Sequence, residues 1–146
     1  MIPSQGYVPG VHRPSYRELW NKLVAAIRLV REGDWAPANP GHLLANFDEL
    51  AEKFEIETTT DDDKALILLT ALREVTPKHY IGDCPPELSL EICTGGYELF
   101  VFRWKSESDL FKKSVMYLKF SLIGKGEKGP AFIHSIHPDH PAKATN

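Results

Sequence analysis

Five side chains late in the chain are of the types that handle phosphodiesters, and strand alternation decides which of them meet. In Val115–Ile123 (VMYLKFSLI), Met116, Leu118, Phe120 and Leu122 form an apolar row, while Tyr117, Lys119 and Ser121 form a polar one. That period of two marks a strand with one face in the core and one face open. In Tyr97–Trp104 (YELFVFRW), Phe100, Phe102 and Trp104 share one face, and Leu99, Val101 and Arg103 share the other. Packing the two apolar rows together brings Arg103, Tyr117 and Lys119 onto one open face. A last strand, Ala131–His137 (AFIHSIH), sets Phe132, His134 and Ile136 on one side and Ile133, Ser135 and His137 on the other. With Phe132 and Ile136 read as core, His137 joins the open face with Ser135, and His134 points the opposite way, partly buried. Ile133 also wants burial, so the register of this strand stays open.

A sheet face with Arg, Lys, Tyr and His suits metal-free RNA cleavage. That reaction needs a base for the 2′-hydroxyl, an acid for the leaving 5′-oxygen and cations for the pentacoordinate phosphorane. Histidine serves as acid or base near neutrality, and Lys and Arg oppose the developing charge. The candidate catalytic residues on this reading are Arg103, Tyr117, Lys119, His137 and His134. The same residues also suit an ordinary half-wet sheet face, which routinely carries Lys and Arg, and pattern alone does not select the catalytic reading over it. The loop GKGEKGP (124–130) reads as a hairpin connection whose Lys125 and Lys128 would touch RNA phosphates.

Other chemistries find less support. His134, His137 and His140 form no recognised ligand set on a strand broken by Pro138 and Pro141, and neither a paired-cysteine zinc spacing nor HExxH occurs. Asp61, Asp62 and Asp63 read as a helix start, where carboxylates meet free amides and the positive dipole end, rather than as a metal cluster. No P-loop, GxSxG or Ser-His-Asp pattern is present, and no cofactor is implied.

The elements that would position the open face come first in the chain. Ser15 and Glu18 form a capping box, and Leu19, Leu23, Ala26, Ile27 and Val30 give a helical period over about 16–32, closed by Gly33. DWAPANPG is a turn-rich connector. A second helix spans about Gly41–Phe54 and a third, apolar nearly all round and read as the central buried helix, about Asp62–Glu74. TPKHY reads as a short extra turn capped by Thr76, Leu88–Cys93 as a short strand, and KSESDLFKK as a hairpin connection with a helical turn. Helices followed by strands predict an α+β fold, with three N-terminal helices covering one face of a small antiparallel sheet. Residues 1–14 read as a loose Gly/Pro-rich leader, 15–139 as one domain and 140–146 as a polar tail.

Composition narrows the function classes. The 146 residues are 42% hydrophobic and 25% charged, an ordinary globular balance for one domain. No apolar run approaches the ~20 residues of a membrane span, and the N-terminus lacks a secretory pattern. Cys84 and Cys93 are read as reduced cytosolic thiols, so a cytoplasmic location is expected. Net charge is −3 but uneven: residues 1–96 hold nine Lys/Arg against fifteen Asp/Glu, and residues 97–146 hold eight against five. A basic end on an acidic chain is either chance scatter or a face that meets an anion such as a phosphate backbone.

The order of segments resembles the MqsR-type toxins of bacterial toxin–antitoxin systems, within the wider RelE-like ribonuclease group. The likeness lies in WNKLVAAIRLVREG, HLLANFDELAEKF, KALILLTALREVTPKHY, MYLKFSLI and FIHSIHPD, and it spans most of residues 19–139. It implies metal-independent endoribonucleolytic cleavage of mRNA, checked by a cognate antitoxin protein. On the resemblance, Tyr117 and Lys119 match the YLK strand, and His137 falls where the family can place a lysine. His79 and Tyr80 lie near the family's tyrosine–lysine pair and are assigned to RNA contact, although Ile81 follows Tyr80 where the lysine would be. The family's glutamine in the preceding strand has no match in ELFVF. Expected partners are RNA and an antitoxin, with no membrane; a second copy, a non-catalytic RNA-binding role and a protein–protein interaction module on the same fold remain open alternatives.

Overall fold

The computed structural model describes residues 15–81, 97–123 and 128–139. The element order is α1 (Tyr16–Arg31), β1 (Trp35–Pro37), α2 (Pro40–Phe54), α3 (Asp61–Glu74), β2 (Tyr97–Lys105), β3 (Val115–Ile123) and β4 (Ala131–Pro138). Single 3-10 turns lie at Pro77–His79 and Asp109–Phe111. The expected strand at Leu88–Cys93, both cysteines, Lys125, His140, the leader and the tail lie outside the described residues.

Local chemistry starts and stops the helices where expected. Ser15 Oγ accepts from the Glu18 amide while the Glu18 carboxylate accepts from the Ser15 amide, at 3.1 and 2.7 Å. At the other end of α1, Gly33 takes φ +79°. Its amide donates to Val30 O, and the Asp34 amide donates to Leu29 O, the paired closure that a left-handed residue permits. Asn39 caps α2. Thr60 and Asp63 form a capping box for α3, so the aspartate run opens a helix.

The sheet order is β1-β4-β3-β2. β2, β3 and β4 are antiparallel neighbours, but β1 runs parallel to β4. The sheet is therefore mixed, a correction to the antiparallel expectation, and the connector read as turns contains its fourth strand. A strand of three residues shows no alternation, and Pro37 is tolerated because β1 is an edge. Beyond β1, α2 takes over that edge: the Ile136 amide donates to Asn46 Oδ1 at 2.8 Å. An edge amide is thus satisfied by a helix side chain rather than another strand.

One apolar core joins all three helices to the inner face of the sheet. Phe100, Phe102, Phe120, Leu118 and Met116 are all buried there. The Phe120 ring lies 5.5 and 6.0 Å from those of Phe100 and Phe102, contacts worth about 0.5–1.5 kcal/mol each beyond their area. Glu74 ties the end of α3 to the end of β2, its carboxylate accepting from the Trp104 indole and the Ser106 hydroxyl. α3 is more one-sided than its sequence suggests. It buries Ile67, Leu68, Ala71 and Leu72, whereas Leu66 is 58% exposed.

Candidate functional site

Three strands set the second face of the sheet in register. Arg103 lies opposite Tyr117, and Tyr117 opposite His137. The next row in is Val101, Lys119 and Ser135, and the next Leu99, Ser121 and Phe132. Alternation thus brings Arg103, Tyr117, Lys119 and His137 together as expected.

Between Lys119 and Phe120 the β3–β4 register slips by one residue. Lys119 pairs with Ser135 and Phe120 with Ile133, so His134 is the extra residue of a β-bulge. A regular strand cannot put residues three apart on one face, yet Ile133 and Ile136 are both fully buried in the core. The inserted residue resolves that conflict. It corrects two expectations: Phe132 sits half-buried on the second face while Ile133 fills the core, and His134 points to the same side as His137. His134 Nε2 lies 3.0 Å from Ser121 Oγ.

Of the polar side chains on the second face, only those of the Arg103–Tyr117–His137 row are open, a further correction. Arg103 is exposed, and Tyr117 and His137 are half-buried. Lys119 is 6% exposed, His134 6%, Ser135 4% and Ser121 0%, and Leu99 and Val101 beside them are equally buried. At the open end the Tyr117 and His137 rings stack with centroids 4.9 Å apart. Lys119 Nζ sits 5.9 Å from the Tyr117 ring centre, which turns its ammonium toward the open row while its stem stays covered.

Burial also sets protonation. The Tyr117 hydroxyl is pushed above its ordinary value by burial, helped by the Asp139 carboxylate, so it is a neutral phenol at physiological pH. His137 Nδ1 lies 2.6 Å from Pro138 O. A carbonyl only accepts, so Nδ1 bears the proton and a neutral ring carries its lone pair on Nε2. His134 is held neutral, its pKa lowered to about 4 by burial, then by the Lys119 and His42 charges.

His42 has no signal in the sequence. It is the third residue of α2, and only the docking of α2 along β4 brings its Nε2 to 3.0 Å from Ser135 Oγ. Lys128 is exposed in the described part of its loop. The remaining assigned residues lie elsewhere. Tyr80 is buried on the core side, its ring edge-on to Phe102 at 5.7 Å, and it bridges the outer edge of β2. His79 Nδ1 accepts from the Thr76 amide and closes the 3-10 turn; burial, then Lys78, lowers its pKa against an opposing pull from Glu74. Neither belongs to the polar row.

Among the described residues no three His, Cys, Asp or Glu are placed to hold a metal ion, and no helix is long and apolar enough to cross a membrane. A groove of about 380 Å³ between the end of α1, β1 and the start of α3 includes Arg31, Trp35, Asp61 and Lys64 but none of the polar row. Compared with known proteins, the sequence matches no family model, and neither a curated protein nor a solved structure matches it with significance.

Proposed function

We propose that this chain is a metal-independent endoribonuclease acting on mRNA in the cytoplasm, and that it is the toxin of a toxin–antitoxin pair restrained by a cognate antitoxin. The observation that carries the nuclease reading is the cross-strand row Arg103–Tyr117–His137, with the Lys119 ammonium turned toward it. The toxin assignment rests on the sequence resemblance to MqsR-type proteins.

In this reading, His137 Nε2 takes the proton of a 2′-hydroxyl. The 2′-oxygen bonds to phosphorus as the bond to the 5′-oxygen breaks, leaving a 2′,3′-cyclic phosphate and a 5′-hydroxyl. The departing oxygen takes its proton from the Tyr117 phenol, which is left as a phenoxide, a far weaker base than an alkoxide. Lys119 and Arg103 oppose the added negative charge on the phosphorane. Lys125 and Lys128 would meet flanking phosphates.

The burial of Lys119 favours a second reading, an RNA-binding protein on the same fold that leaves RNA intact. Incubating the purified protein with RNA in EDTA separates the two. The nuclease reading expects cleavage that is abolished in a Lys119→Ala/His137→Ala double variant. No cleavage, or cleavage the double variant retains, overturns it; salt-dependent binding without cleavage supports the second reading.

A further inference from the structure

α1 carries a face that the core does not use. Tyr16 is 56% exposed, Trp20 41% and Val24 62%, at successive i, i+4 positions. Single exposed apolar residues are ordinary; a ridge of them is not. At about 100° per residue, the half-buried Ile27 falls between Tyr16 and Trp20 and lengthens the ridge toward the C-terminal end. Arg31 falls between Trp20 and Val24, and Arg17 and Arg28 follow beyond Val24 on the outer flank. Arg17 and Arg31 are exposed, and Arg28 pairs with Glu32 at 3.3 Å. The face is thus an apolar ridge about 16 Å long that carries Arg31 among its apolar residues and is bordered by Arg17, Arg28 and Glu32.

We propose that this face binds an acidic amphipathic helix of a partner protein. An i, i+4 ridge is the shape that fits the groove of a second helix, and aliphatic Val24 and Ile27 suit leucine-type side chains better than bases. The arginine flank calls for carboxylates on the partner. A second copy offers Leu44 on α2 beside Asp48 and exposed Glu52, and Leu66 on α3 one turn from exposed Asp62, each a single large apolar residue against a ridge of three turns.

The test uses the full chain and a fluorescein-labelled synthetic peptide of about 20 residues, with Leu at i, i+4 spacing and Glu on both flanks. A scrambled peptide of the same composition and an oligouridine RNA serve as comparisons. The expected result is a saturable anisotropy rise with the patterned peptide alone. Binding should weaken at least about tenfold in Trp20→Ser/Val24→Ser and in Arg17→Glu/Arg31→Glu, and stay unchanged in His137→Ala. All substituted positions on α1 are on its surface, and circular dichroism confirms that the variants fold. Absence of saturable binding, equal binding of the scrambled peptide, displacement by the RNA, or a concentration-dependent dimer that Trp20→Ser dissolves would each overturn the proposal. These readouts do not depend on RNA cleavage, so either proposal can fail without the other.

Discussion

The two ends of the polar row on the sheet's second face carry similar side chains and differ in burial. At one end Tyr117 stacks on His137 across from exposed Arg103. At the other, His134 lies against Ser121 among Leu99 and Val101, and His42 reaches in to Ser135. Two histidines three residues apart are thereby separated in role. His134 has lost its charge to its surroundings, whereas His137 keeps a ring nitrogen oriented by a backbone carbonyl at the accessible end. The lesson is that residue type and facing do not make a catalytic group; exposure and proton placement do.

The sharpest way to break this comparison is to remove the open-end imidazole. His137→Ala is expected to lower RNA cleavage by about 10²–10⁴-fold, the range for a general acid or base, with a urea midpoint near that of the parent. Retained cleavage would place the chemistry elsewhere. Next in size is the contrast that the bulge creates between neighbours. Ile133→Ala removes a fully buried core side chain and should cost about 2–5 kcal/mol in denaturant unfolding; Phe132→Ala, on the half-buried second face, should cost clearly less.

The closed end also makes a pH prediction. The folded pKa of His134 is about 4 against 6.5 for the free imidazole, so the unfolded chain binds more protons between those values. Stability from this group is complete above pH 6.5, falls as the pH drops toward 4 and levels off below that. The full loss is roughly 3 kcal/mol. Urea unfolding across that window should show the decline in the parent and a flatter profile in His134→Gln. The smallest effect belongs to His42→Ala. It removes one hydrogen bond to Ser135 at the helix–strand contact and should cost about 0.5–1.5 kcal/mol, with cleavage changed by less than about threefold.

Strong local signals made much of this legible from sequence. Ser15 with Glu18 fixes one helix start through hydrogen bonds to residues three positions away, and the aspartate run marks another, although its cap, Thr60, came only with the structure. The alternation in β2 and β3 likewise selected Arg103, Tyr117 and Lys119 without any tertiary information. Illegible features arise from contacts distant in the chain. Trp35–Pro37 becomes a strand because Ala131–Ile133 lies beside it. The bulge at His134 follows from two isoleucines competing for one core, a conflict visible in AFIHSIH but not solvable there. Asn46 and His42 meet β4 across about 90 residues of chain. Burial of the inner half of the polar row belongs to this class too, since alternation reports facing and not cover.

Deleting His134 tests the central claim most directly. The deletion turns the strand into Ile133–Ser135–Ile136–His137, a regular alternation that keeps both isoleucines inward and His137 across from Tyr117. It also leaves Ser121 without its imidazole partner, a stability loss of about 1–3 kcal/mol. RNA cleavage in EDTA, at a temperature where the variant is folded, should persist within a few-fold of the parent, while His137→Ala loses it. Cleavage lost on deletion of His134 and kept in His137→Ala would contradict the division of the face into a reactive open end and a neutral closed one.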